Sequence, residues 1–201
     1  DIGFNFLPPR GVGLSIDTGV IKGGGFLYLD FDKGEYFGAL ELTFQGVIAL
    51  KAVGIINTRM PDGSQGFALL ILITAEFTPI QLGFGFTLNG VGGLLGVNRT
   101  ADVEALKAGV KTGAVSSILF PADVVANITR IISDLKAIFP IAPDHFLIGP
   151  MAKLGWGTPT LISLELGIII DIPVPRVIIL GVLRCILPTK EAAILKLQVN
   201  F

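Results

Sequence analysis

The chain has 201 residues, of which 51% are hydrophobic, 15% are charged and 26 are glycine, and its mean hydropathy is +0.75. With 15 Lys+Arg against 16 Asp+Glu, it is neither a disordered chain, which needs low hydrophobicity and high net charge, nor a nucleic-acid binder, which needs a basic stripe to neutralise phosphates. A single cysteine, Cys185, and a single histidine, His145, exclude an internal disulfide framework and a Cys/His zinc site, and no metal or cofactor is expected.

From Gly11 to Val97 the residues read as strands separated by turns. Leu14, Ile16 and Thr18 alternate with Ser15 and Asp17, and Leu27, Leu29 and Phe31 continue the period of two. Gly23-Gly24-Gly25 reads as a bend between these strands. Asp32-Lys33-Gly34 supplies a short turn before 36–44, which predicts a hairpin. A long strand over 46–58, a turn at Pro61-Asp62-Gly63-Ser64 and a returning strand over 67–77 extend the meander, and Pro79 opens a further strand over 81–89. Short connections leave no room for crossover helices, so the sheet is predicted to be antiparallel.

The middle third changes period. Residues 101–108 predict a short helix capped by Thr100 and stopped near Gly109. Residues 122–138 predict a second helix with Val125, Ile128, Ile132 and Leu135 on one face, and that stripe must lie on the sheet. Strand patterns resume over 146–153, 161–172, 176–187 and 194–201. The fold expected is therefore mainly β: an antiparallel β-meander sheet with a two-helix insertion packed on one face or end. It forms one module, with strands over about 11–97, the insertion over about 100–139 and strands over about 146–201.

The longest apolar runs, such as 67–75, fall short of the roughly 18 to 20 residues of a spanning helix. A membrane barrel would alternate apolar with polar residues, whereas Ala68-Leu69-Leu70-Ile71-Leu72-Ile73 is apolar on both faces. A strand of that kind belongs in the sheet interior. Its second face must meet a second sheet, another segment of the chain, a partner protein or lipid. Glu41, Lys51, Glu76, Glu165 and Arg184 interrupt otherwise apolar strands, and burial without a partner is too costly for any of them. They are expected on a solvated face or in cross-strand ion pairs, the sharper alternative being that they line a polar channel or site.

Catalytic chemistry has little to stand on. His145 follows Asp144, but no Gly-x-Ser-x-Gly elbow presents a nucleophile, and Cys185 lies in an apolar strand as a structural thiol would. The glycine run 90–96 lacks the Gly-Lys-Ser/Thr ending of a phosphate loop and reads as close backbone packing. Asn98-Arg99-Thr100 and Asn127-Ile128-Thr129 match the glycosylation acceptor pattern, which is short enough to recur by chance. Trp156, in Gly155-Trp156-Gly157-Thr158-Pro159, reads with Gly157 and Pro159 as a structural anchor, its ring largely buried.

Three stretches carry a family likeness: Gly83-Phe84-Gly85-Phe86-Thr87-Leu88-Asn89-Gly90-Val91-Gly92-Gly93-Leu94-Leu95-Gly96-Val97-Asn98-Arg99, then Ile118-Leu119-Phe120-Pro121, then residues 149–159 beginning Gly149-Pro150-Met151. In order and spacing over about residues 80 to 190 they resemble the bacterial domain-of-unknown-function family 6603. The resemblance implies a segment of a very long β-rich protein and assigns no catalytic residue.

Two functions are expected from these readings. The first is a non-enzymatic structural or protein-interaction module of a large β-rich bacterial protein, with other segments of the same long chain or a protein assembly as partners, and neither nucleic acid nor metal. The alternative is an apolar-ligand or lipid-binding groove lined by Leu69, Ile71, Ile73, Phe84 and Phe86 and capped by Ile128 and Ile132 of the second helix.

Overall fold

The computed structural model describes residues 10–173, 175–188 and 194–201. Ten strands form a single sheet: β1 (Gly11–Asp17), β2 (Ile21–Asp30), β3 (Glu35–Phe44), β4 (Ile48–Arg59), β5 (Gln65–Gly83), β6 (Phe86–Arg99), β7 (Ile141–Trp156), β8 (Ile162–Ile172), β9 (Arg176–Pro188) and β10 (Ile194–Asn200). Their order across the sheet is their order in the chain, and every neighbouring pair is antiparallel. Among the described residues β1 pairs only with β2 and β10 only with β9, so the sheet is open. The two strand blocks of the sequence are halves of this one sheet, and β5 sits in its interior as its doubly apolar pattern requires.

Helices α1 (Val103–Thr112) and α2 (Ile128–Ile138) lie between β6 and β7, separated by a 3-10 turn at Ala114–Ser117. The α1 cap is Asp102, not Thr100: its carboxylate accepts the amides of Glu104 and Ala105, while the Thr100 hydroxyl is turned to Asp171. The helix runs past Gly109 and ends at Gly113, whose φ of 84° is the left-handed conformation that glycine adopts without strain. The second helix is shorter than its apolar period suggests. Phe120 and Asp123 hold positive φ, and the Val124 amide donates to the Glu41 carboxylate, so residues 122–127 form turns and the regular helix starts at Ile128.

The α2 stripe of Ile128, Ile131, Ile132, Leu135 and Ile138 is buried in one core with Val53, Ile55, Leu70, Leu72, Leu94, Leu147, Ile169 and Leu180 of the sheet. Three strand readings change with the tertiary structure. Residues 23–25 are no bend but the middle of β2, where a Cβ on Gly23 would stand 2.0 Å from the Glu41 carbonyl oxygen of β3. Pro79 does not open a strand: β5 absorbs it in an irregular stretch between Glu76 and Ile80, and the turn falls after Gly83. The seventh strand starts at Ile141, ahead of Pro143-Asp144.

Candidate functional site

Side chains alternate across a strand, so register assigns every residue in the regularly paired stretches to one of two faces. The helix-bearing face carries Val53, Ile55 and Lys51 in β4, with Leu70, Leu72, Thr74 and Glu76 in β5. In β7 and β8 it carries Leu147, Met151 and Lys153 beside Glu165, Ile169 and Asp171. The opposite face carries Leu69, Ile71 and Ile73, then Val91 and Leu95, Ile148 and Leu154, Leu166, Ile168 and Ile170, and Val177 and Ile179. Glu41, Lys51, Glu76, Lys153, Glu165 and Arg184 all belong to the helix side. In the regularly paired stretches no charged side chain that the structure describes belongs to the other set.

The charges on the helix side form cross-strand pairs beside the helix layer. Lys51 and Lys153 both donate to Glu76, and Lys153 and Arg184 both reach Glu165, which is only 2% exposed. Burial works to raise the Glu76 carboxyl, but the hydrogen bonds and charges of the two lysines outweigh it and hold the group below its usual range. At the other end of this face Asp171 is buried. It accepts from the Thr100 hydroxyl at 2.5 Å and the Ala101 amide at 3.3 Å, and pairs with the His145 ring at 3.0 Å and with Arg176 at 3.6 Å. Its desolvation is likewise overcome, by the hydrogen bonds from His145, Thr100 and Ala101, and its carboxyl is lowered. Arg99, turned inward after the irregular pairing at Asn98, donates to Asn57 and to the Phe139 carbonyl, and burial brings its guanidinium down to about 10. These groups tie the helical insertion to the sheet. His145 and Asp171 share no contact with a serine or with Cys185 among the hydrogen bonds and ion pairs of the described residues.

No secondary-structure element of the described residues lies over the opposite face, and large apolar side chains there stay partly in solvent: Ile73, Leu95, Ile148 and Ile168 are all exposed. Ten strands about 4.8 Å apart, each about ten residues at about 3.4 Å, give a face on the order of 1,500 Å², far beyond the few hundred Å² that a monomeric protein normally leaves as one apolar patch. Its relief is uneven. Glycines 25, 38 and 54 and Ala52 make the β2–β4 side low, and a depression of about 220 Å³ opens there between Leu27, Tyr36, Gly38, Gly54, Ile56 and Leu69. The β7–β8 side stands higher on Ile148, Ile168 and Ile170.

The seven residues expected to line one groove are divided by this geometry. Leu69, Ile71, Ile73 and Phe86 share the open face, whereas Ile128 and Ile132 are buried beneath the opposite one, so α2 cannot cap a groove formed by the first four. Phe84 sits at the tip of the β5–β6 hairpin and is 99% exposed. Trp156 is 40% exposed and not largely buried, because it ends β7 on the open face. It still joins two hairpin tips: its indole N–H donates to the Phe84 carbonyl, and the Gly157 amide donates to the carbonyl of Gly85. Gly157 and Pro159 shape the adjoining turn. The side-chain amides of Asn98 and Asn127 donate to backbone carbonyls, of Phe67 and of Ala122 and Asp123 respectively. Leu95, Ile148, Ile168 and Gly54 were missed by sequence reasoning, although a signal was present. Each charged strand residue marks the helix-side parity, and the alternate positions of the same strand are then the open face.

The fold and this surface define a class: a mainly β protein built on one open antiparallel meander, with helices on one side and, on the other, an apolar face whose described paired stretches carry no charge. Within that class the chain belongs to DUF6603, a family of unknown function, whose match covers residues 1–201. No curated protein and no solved structure matches it.

Proposed function

We propose that the chain is a non-enzymatic structural or protein-interaction module whose open face packs against protein. The observation that carries this reading is the segregation of charge: among the described residues the ionic groups of the regularly paired strands lie on the helix side, and the paired stretches of the other side are apolar. Such a surface gains free energy from losing its water, with no charge to be desolvated in doing so. The engagement of His145 with Asp171 in holding the insertion supports a non-enzymatic role. Other segments of a long bacterial β-rich chain, or a protein assembly, are the partners this reading implies. Its test is the pair Ile73→Lys and Leu95→Lys in the open face. Far-UV circular dichroism is expected to stay unchanged while the solubility of the chain rises and any concentration-dependent association in sedimentation velocity falls; solubility and association that both lysines leave unchanged defeat the reading.

The depression at Gly38 and Gly54 favours a second reading, an apolar-ligand or lipid site on the same face. Two adjoining depressions there, of about 220 and 340 Å³, share Leu27, Gly38, Gly54 and Ile71 and lie at the low end of the roughly 300 to 1,000 Å³ of a ligand pocket; no element of the described residues walls them over, which places this reading second. Native mass spectrometry after mild extraction decides it: lipid that co-purifies in fixed stoichiometry supports the site, and its absence removes it.

A further inference from the structure

We infer that the protein covering the open face is a second copy of this chain, packed face to face in a two-fold sandwich; this rests on the protein-packing reading above. The area fits such a pair. A face on the order of 1,500 Å² per copy buries about 3,000 Å² in a pair, which is the size of an obligate homodimer interface and about twice that of a standard complex.

The surface is also compatible with itself. A two-fold interface sets a surface against its own copy, so any charge on it lies near the same charge or must find an opposite one. This face has no charge in its described paired stretches, and the constraint is met without further design. The relief along its middle row selects the axis. One register row across the sheet runs Gly38, Gly54, Ile71, Leu95, Ile148, Ile170, with its small residues in β3–β4 and its large ones in β7–β8. A two-fold axis parallel to the strands and between β5 and β6 lays β4 of one copy over β7 of the other. It thereby sets Ile148 above Gly54 and Ile170 above Gly38, ridge into depression. An axis across the strands would instead set depression on depression and leave voids that a packed interface does not keep.

Sedimentation equilibrium of the unmodified chain, with native mass spectrometry on the same sample, is expected to give twice the chain mass and no bound lipid. The geometry is tested by Gly54→Cys combined with Ile148→Cys in a Cys185→Ser background. A side chain at 54 is accommodated, since a Cβ there meets only the Leu70 carbonyl oxygen at 3.9 Å, and disulfides between facing sheets are established in immunoglobulin sandwiches. Mild oxidation is expected to link residue 54 of one copy to residue 148 of the other. A 54-to-54 link, or a dimer that persists with Leu95→Lys, overturns the sandwich. A single-chain mass with a bare face overturns the second copy and leaves another protein as the occupant. A single-chain mass carrying lipid overturns both this inference and the protein-packing reading. The mass of the unmodified chain decides between these outcomes even if the cysteine variants do not fold.

Discussion

The two faces of the sheet are made from the same strands and share their leucines, isoleucines and valines, yet they meet opposite surroundings. Ile55 is fully buried and Ile56, the next residue, is 38% exposed; Leu94 and Leu95 differ in the same way. Hydrophobicity alone does not separate members of such pairs. What separates them is strand parity together with the choice of face made by one helical insertion. Where α2 lies, apolar side chains lose their water and the charges at its margins are paired; where no element of the described residues lies, equally apolar side chains keep part of theirs.

This contrast can be broken most strongly beneath the helices. Leu135→Ala, at a fully packed position, is expected to cost about 2 to 5 kcal/mol in denaturant unfolding, through lost transfer energy and the cavity left behind. A cost near zero would mean that the helix layer is not part of the core.

Asp171→Asn comes next, at about 1 to 3 kcal/mol, because it weakens the buried node joining Thr100, His145 and Arg176. It also changes the acid limb of stability. The folded carboxyl is held below 3.8, so its contribution is complete above that value and is lost as the pH falls through the lower folded one. The asparagine variant is therefore expected to lose less stability than the parent below about pH 4, in urea titrations across that range.

A smaller effect of opposite sign is expected at Thr74, whose buried hydroxyl has no hydrogen-bond partner among the described residues. Thr74→Val is expected to raise stability by about 1 kcal/mol, since an unpaired hydroxyl is replaced by a methyl of the same shape. Destabilisation by as much would show that a bound water satisfies the hydroxyl.

The smallest effect sharpens the comparison most. Ile73→Ala on the open face is expected to change unfolding by less than about 0.5 kcal/mol at dilutions where the chain is single. It should cost about 2 kcal/mol or more per chain once the face is covered. Unfolding followed over a range of protein concentrations reads both values, and a large cost at every dilution would place Ile73 in a core of the single chain.

Much of the fold was legible in the residues. Alternation over 36–44 and a continuous apolar run over 67–77 between turn residues marked strands, short turns marked their antiparallel order, and the three- and four-residue steps from Ile128 to Ile138 marked a helix with one apolar stripe. The helix start was not legible, because positive φ at Phe120 and Asp123 and the hydrogen bond from Val124 to Glu41 arise from a contact with a distant strand. The same holds for Thr100, a good cap by type that is drawn instead to Asp171, seventy-one residues away in the chain. At the candidate surface, Leu69, Ile71, Ile73 and Phe86 lie together on one apolar face. Ile128 and Ile132 lie beneath the other and Phe84 at a hairpin tip, since an amphipathic stripe does not say on which side of a sheet it settles.

Local spacing of apolar, charged and turn residues thus determined by itself that this protein is an antiparallel meander interrupted by two helices, because period and turn chemistry act between near neighbours. The tertiary structure alone decided which face the helices took, and so which leucines and isoleucines are core and which stay on the open side. Strand charges mark one parity as different from the other, but the insertion is held on that side by contacts such as Val124 with Glu41, Lys136 with Glu35 and Asp171 with Thr100, which join residues far apart in the chain.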